Sequence, residues 1–183
     1  AYFVDNVVAY FLSKLFVEVP MTLVQYIVMF ILVYYLMDMQ GDFMILVLST
    51  FGLGMVSNSV AMALGCMVPD VKDVTELAPL VYVPQILFGG FFIRTGEIPV
   101  FMRWAQYICS MKYAMNLILL NEFRADRDTC QGPDAAKNCR EIISSNGVDG
   151  NIFYVYIILL FGLFMVFRLL GVFILIQKAK RFY

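Results

Sequence analysis

Four stretches of this 183-residue chain run without a charged side chain for 17 residues or longer, at 19–37, 43–69, 77–93 and 150–167. A bilayer's hydrocarbon core, about 30 Å thick, takes a helix of about 20 apolar residues. No water reaches the backbone there, so peptide groups must bond within a helix or a closed barrel. The runs therefore predict an all-α membrane protein with four transmembrane helices. The last run keeps its apolar character beyond Arg168, which extends that helix to 150–177. Segment 43–69 is longer than a span needs and can tilt, while 77–93 is just long enough. Composition agrees: 62% of the chain is hydrophobic and 15% charged, against about 25% charged in soluble domains.

Charge between the runs sets the expected orientation. The ending QKAKRFY holds Lys178, Lys180 and Arg181 and belongs on the cytoplasmic side. Four spans then put the N-terminus inside, the connection 38–42 outside and 69–76 inside. Residues 94–149 fall outside although they hold seven basic residues, a conflict that the rule tolerates for loops near this length. The apolar, aromatic part of that segment, 98–123, is interrupted by Arg103 and Lys112. It reads as an interfacial or re-entrant helical segment, and 124–149 as a small polar extracellular loop. Residues 1–18 read as an amphipathic approach on the cytoplasmic side, where Lys14 and Glu18, four apart, are spaced for an ion pair. The chain opens inside a helical pattern without an initiator methionine or signal peptide, and it reads as a fragment of a longer protein.

Chemistry is sparse. There is no histidine, which removes the commonest acid–base group and metal ligand. No Gly-rich phosphate loop occurs, no metal-ligand cluster can be assembled, and the runs contain no acid for an intramembrane protease. No catalytic or metal site is expected in this segment. A net charge of −1 gives no reason to expect nucleic acid. The polar residues inside the runs include Ser57, Asn58 and Ser59, flanked by Gly52, Gly54 and Gly65, a small-residue pattern suited to helix packing, with ligand binding as the alternative. Arg168 follows 18 charge-free residues, about 27 Å of helix, and is expected to snorkel to the inner interface. Cys66 and Cys109 read as buried thiols. Cys130 and Cys139 lie in the polar CQGPDAAKNC and suggest a disulfide facing an oxidising compartment, two surface thiols being the alternative.

Taken in order, these motifs resemble a family. YFLSKLFVEVPM, with Lys14, Glu18 and Pro20, resembles the entry to the third membrane helix of G-subfamily ATP-binding cassette exporters, the white/pleiotropic-drug type. LFGGFFIRTGEIPVFMRWAQYICSMKYAMNLILLNEF resembles that family's fifth helix and re-entrant segment, with Trp104, Tyr107, Tyr113 and the closing Asn121–Glu122–Phe123 in place. The cysteine-bearing loop, last helix and short basic end complete the pattern, which covers nearly the whole chain. The resemblance implies that residues 1–183 are part of a type-2 transmembrane domain moving lipids, sterols or amphipathic small molecules. It implies a second such domain as partner, in a homodimer, a heterodimer or a full-size chain, and a nucleotide-binding domain of the same polypeptide, absent here, that would hold ATP and magnesium and supply ATPase activity. A multi-pass location is expected, in the plasma membrane rather than an organelle.

The third run then acquires an expected role. Leu80, Val83, Ile86 and Leu87 recur at helical spacing on one face, and the family places that face on its central cavity. Packing on a neighbouring helix is the alternative. Pro79 and Pro84 can kink the helix. Late in the same helix the family has bulky residues acting as a gate, which here are Phe91 and Phe92. Consecutive residues stand about 100° apart, so one ring can face the dimer axis while the other packs behind it. Gly89 and Gly90 let helices approach closely beneath them. A four-span membrane scaffold without transport activity is the rival reading, but it gives no account of the aromatic segment after Arg94.

Overall fold

The computed structural model describes residues 2–68, 70–89, 107–123, 130, 133–145 and 153–182, and the regular structure among them is six α-helices with no strand. These are α1 (Tyr2–Met37), α2 (Phe43–Met67), α3 (Val71–Phe88), α4 (Ser110–Glu122), α5 (Pro133–Ser145) and α6 (Phe153–Phe182). Three have the length and apolar composition to cross a membrane: Ala9–Met37, Phe43–Met67 and Phe153–Lys178. The fourth expected span is only partly described. Helix α3 opens with Lys72, Asp73 and Glu76, and its uncharged part up to Phe88 covers about 18 Å, short of the core thickness. The remainder of 77–93 lies outside the described residues.

Helix α1 is continuous from Tyr2 into the first run, with Pro20 in its interior. It ends where Asp38 turns to a positive φ of 50°, a region that Asp and Asn enter more readily than other side chains. The N–H of Met39 reaches back to the carbonyl of Tyr34 at 3.3 Å, the six-to-one bond of a Schellman ending. Helix α2 starts four residues later and stops at Met67, two residues before the expected end of its run. Near that end the Lys178 ammonium donates to the Cys66 carbonyl at 3.3 Å, a cation on the negative end of the helix.

Helix α2 is the centre of the packing, between α6, α4 and α1. Its Val56 and Val60 join Tyr113 and Leu117 of α4 and Tyr156 and Leu160 of α6 in one buried cluster. A second cluster joins Leu46 and Val47 to Phe30 of α1. The small residues permit this. A side chain at Gly52 would collide with Leu160, and one at Gly54 with the Tyr26 ring, whereas Gly65 has open space around it. Polar side chains within the runs turn back on their own helix: Ser49 donates to the Ile45 carbonyl, Thr50 to Leu46 and Ser59 to Met55, at 2.7–2.8 Å. Each hydroxyl is thereby satisfied without water.

Helix α4 is about 20 Å long and too short to span. It buries Tyr113, Ala114 and Leu117 against α2 and α6. Helix α5 carries Cys139, which is bonded to Cys130 in the disulfide that the polar loop suggested.

Candidate functional site

The residues expected to line a pathway lie on one open face of α3. Leu80 is 71% exposed, Val83 50%, and Ile86 and Leu87 40% each. The opposite face is engaged: Tyr82 donates its hydroxyl to the Ser57 carbonyl at 3.0 Å, and Val81 and Tyr82 pack on the main cluster. An apolar helix with Pro79 and Pro84 in its interior is thus fixed to α2 on one side and left free on the other.

At its end α3 meets the start of α4. A Cβ on Gly89 would lie 3.0 Å from the Gln85 carbonyl oxygen and 3.2 Å from Cγ of Met111, so α4 approaches where a side chain would crowd it. The last carbonyls of a helix lack partners within it, and the buried Cys109 thiol donates to one of them, that of Gln85, at 3.0 Å. Burial pushes the Cys109 thiol up from its ordinary range, which keeps the proton that makes this bond. Gly90, Phe91 and Phe92, the rest of the expected gate, lie outside the described residues.

The far end of α4 holds the α1–α2 turn. The Glu122 carboxylate accepts from the backbone N–H of Gln40 at 3.0 Å and from that of Gly41 at 2.9 Å. Asn121 accepts from the N–H of Asp42 at 3.1 Å and donates to its carbonyl at 3.0 Å. Tyr34 donates its hydroxyl to the Gly41 carbonyl at 3.1 Å. Gly41 is required: a Cβ there would stand 2.5 Å from Asn121 Nδ2 and 2.7 Å from Glu122 Oε2. Asn121 and Glu122, quoted above with Phe123 only as a family mark, form a clamp on three successive backbone N–H groups.

The expected ion pair is corrected. Glu18 pairs with Arg168 of α6, Nη2 to Oε2 at 2.7 Å, and not with Lys14, which is exposed to the surroundings of α1. Nor does Arg168 snorkel: it is 7% exposed. Its Nη1 reaches Met62 Sδ at 3.5 Å, and its guanidinium lies 5.8 Å from the Phe164 ring centre. The reason is desolvation. A lone charge on an apolar helix surface needs a counter-charge more than a weakly shielded neighbour one turn away does. Glu18 and Arg168 were each visible as isolated charges beside apolar runs, but 150 positions separate them and no spacing rule joins them.

Beside that pair, α1, α2 and α6, with Leu117 of α4, line an apolar groove of about 630 Å³ that runs from Leu12 and Leu15 to Ile45 and Phe153, with Arg168 in its wall. Apolar membrane-length helices, a free apolar face and buried charge matched across helices define a multi-pass integral membrane domain.

Comparison with known proteins gives the family. Residues 2–123 match the ABC-2 type transporter family, and the chain belongs to it. It is 27% identical to protein white of Drosophila melanogaster over 186 residues, covering 94% of this chain and 26% of that protein. It is 23% identical to the ABC transporter ATP-binding protein/permease wht-1 of Caenorhabditis elegans, over 89% of this chain and 26% of the relative. With ABC transporter G family member STR of Petunia hybrida the identity is 25%, over 68% of this chain and 15% of that protein. The chain thus spans about a quarter of the length of the first two relatives.

Proposed function

We propose that this chain is the membrane-spanning part of an ATP-driven exporter that moves lipids, sterols or amphipathic small molecules. The observation that carries the reading is the free α3 face. Leu80, Val83, Ile86 and Leu87 stay open while the other side of the helix is bonded to α2. In a dimer of such domains, or a full-size chain with two, that face turns to the shared axis. The reading assigns the closing of the cavity to Phe91 and Phe92, which follow Gly89, where α4 comes close. ATP and magnesium bind in a nucleotide-binding domain of the same polypeptide, a composition matched by the ATP-binding protein/permease name of one relative. The C-terminus lies in the cytoplasm and the Cys130–Cys139 loop outside the plasma membrane, in keeping with the oxidised pair.

The test uses the intact transporter in vesicles with a panel of amphipaths. Single cysteines at Leu80, Val83, Ile86 and Leu87 are expected to react with a membrane-permeant thiol reagent and to be protected by transported substrate. Phe91→Ala with Phe92→Ala is expected to change export and raise basal ATP turnover. Substrate protection at none of the four positions, together with unchanged turnover in a folded double variant, would leave a membrane scaffold without transport.

A further inference from the structure

Gln25 places a carboxamide at a depth where nothing in a bilayer can bond it. It stands 11 residues beyond Lys14 and 12 before the end of α1 at Met37. Those intervals are about 16 Å and 18 Å of helix, so Gln25 falls near the middle of a hydrocarbon core about 30 Å thick. Its side chain is exposed, and among the described residues it has no hydrogen-bond partner. Thr22, three residues earlier, turns back on its own helix and donates to the Glu18 carbonyl at 2.7 Å. A carboxamide has two N–H donors and an oxygen with two lone pairs, and acyl chains offer no partner to either. Left against lipid, those groups would carry their full desolvation cost. The amide marks a contact that the described helices do not supply.

The neighbours of Gln25 specify what makes that contact. Met21, Val28 and Leu32 stand four before, three after and seven after it, on the same side of α1, and all three are exposed. This spacing is the seam by which one helix seats against another. Within membranes such seams are joined by side chains of the Ser, Thr, Asn and Gln kind. The flank of α1 toward α2 is already taken, with Phe30 packed on Leu46 and Val47. Helix α2 follows α1 in the chain, and consecutive elements are usually neighbours in space, so the open flank suits the element that comes before α1. Polypeptide is available to supply it, since this chain spans about a quarter of the length of the first two relatives. A second copy of the domain is already assigned to the free face of α3. We infer that the Met21–Gln25–Val28–Leu32 face seats a membrane helix from the polypeptide preceding Ala1, and that this helix presents a hydrogen-bonding side chain to the Gln25 amide at mid-membrane. The apolar neighbours give area and the amide sets register, because a slip of one turn, about 5.4 Å, would strand both polar groups in hydrocarbon. The inference rests on membrane embedding and is independent of transport activity.

The full-length transporter, reconstituted in liposomes, carries the photocrosslinker benzoylphenylalanine at Met21 or at Val28, which leaves Gln25 itself in place. Illumination is expected to give a monomer-sized product. Its adduct should map to an apolar segment upstream of Ala1, within one helical turn of a Ser, Thr, Asn or Gln. A second measurement reads the hydrogen bond by its sign. Gln25→Met keeps the length of the side chain and removes the amide. It is expected to lower the melting temperature, because the partner's polar group is then left unpaired. A side chain facing lipid gives the opposite sign, since losing its amide removes a cost. A dimer-sized adduct, an adduct on a segment following Tyr183, or capture of lipid alone overturns the inference. So does a melting temperature that is unchanged or raised in Gln25→Met.

Discussion

Glu18 and Arg168 show what a single charge demands in this environment. Each alone would be an uncompensated ion beside hydrocarbon, and their 2.7 Å contact is shielded by Met62 and Phe164. Removing one partner of a buried pair costs about 3–5 kcal/mol, whereas removing both together is far less damaging. Arg168→Met is therefore expected to lower the melting temperature of the purified transporter sharply, and Glu18→Gln combined with Arg168→Met to recover much of the loss. Additive losses in the double variant would show that the two side chains act separately. Gly41 illustrates the opposite demand, for the absence of a side chain. Its Cβ position is taken by Asn121 and Glu122, so Gly41→Ala forces the clamp apart. Hydrogen bonds to a charged group contribute about 1.5–3 kcal/mol each, and the opening of the Glu122 pair is expected to cost roughly 2 kcal/mol at this part-buried site. Hydrogen exchange at Gln40 and Gly41 reads that loss directly: the amides should be protected in the parent protein and exposed in the variant.

The helices were legible in the sequence because the bilayer imposes a length rule that charge-free runs record plainly. Three runs became α1, α2 and α6; the ends differ by no more than five residues except at the start of α1, which extends 17 residues before its run, since a run marks the hydrophobic stretch whereas the helix stops where its cap forms, at Asp38 and Val68. Small residues also announced themselves: Gly52 and Gly54 sit where Leu160 and Tyr26 pass. What the sequence hid were contacts between elements far apart in the chain. The clamp joins α4 to a turn about 80 positions away, and the ion pair joins α1 to α6; neither leaves a periodic trace. Cys130 and Cys139, nine apart, were legible because the closure is local. A disulfide closing so short a loop stabilises by about 2–3 kcal/mol. Reduction, or Cys130→Ser with Cys139→Ser, is expected to lower the melting temperature of the folded loop. On non-reducing gels no covalent dimer should run through these two residues, and a dimer abolished by Cys130→Ser would contradict the intrachain bond.

Across the molecule, one central helix is gripped from three sides; the ion pair holds α1 near its middle and the clamp holds the turn that follows its C-terminal end. That helix is about 54 Å long, more than the roughly 40–45 Å of a whole bilayer with its headgroups, and its only interior proline stands two residues beyond Glu18. Pro20 has no N–H to bond the Phe16 carbonyl, so bending concentrates there. Just below it Arg168 ties α1 to α6, and at the far end Glu122 and Asn121 tie the following turn to α4. Such a rod has a fulcrum at Glu18, with arms of about 24 Å and 28 Å. Spin labels at the exposed Tyr10 and Tyr35, each paired with a reference label on α2 of the full-length transporter, are expected to report distance changes of opposite sign when ATP is added. Changes of the same sign at both positions would mean that α1 slides as a body. Near-equal arms give no mechanical advantage: an ångström of displacement below the pivot arrives as about an ångström in the reverse sense above it, delivered to the turn at Gly41 and from there to α4.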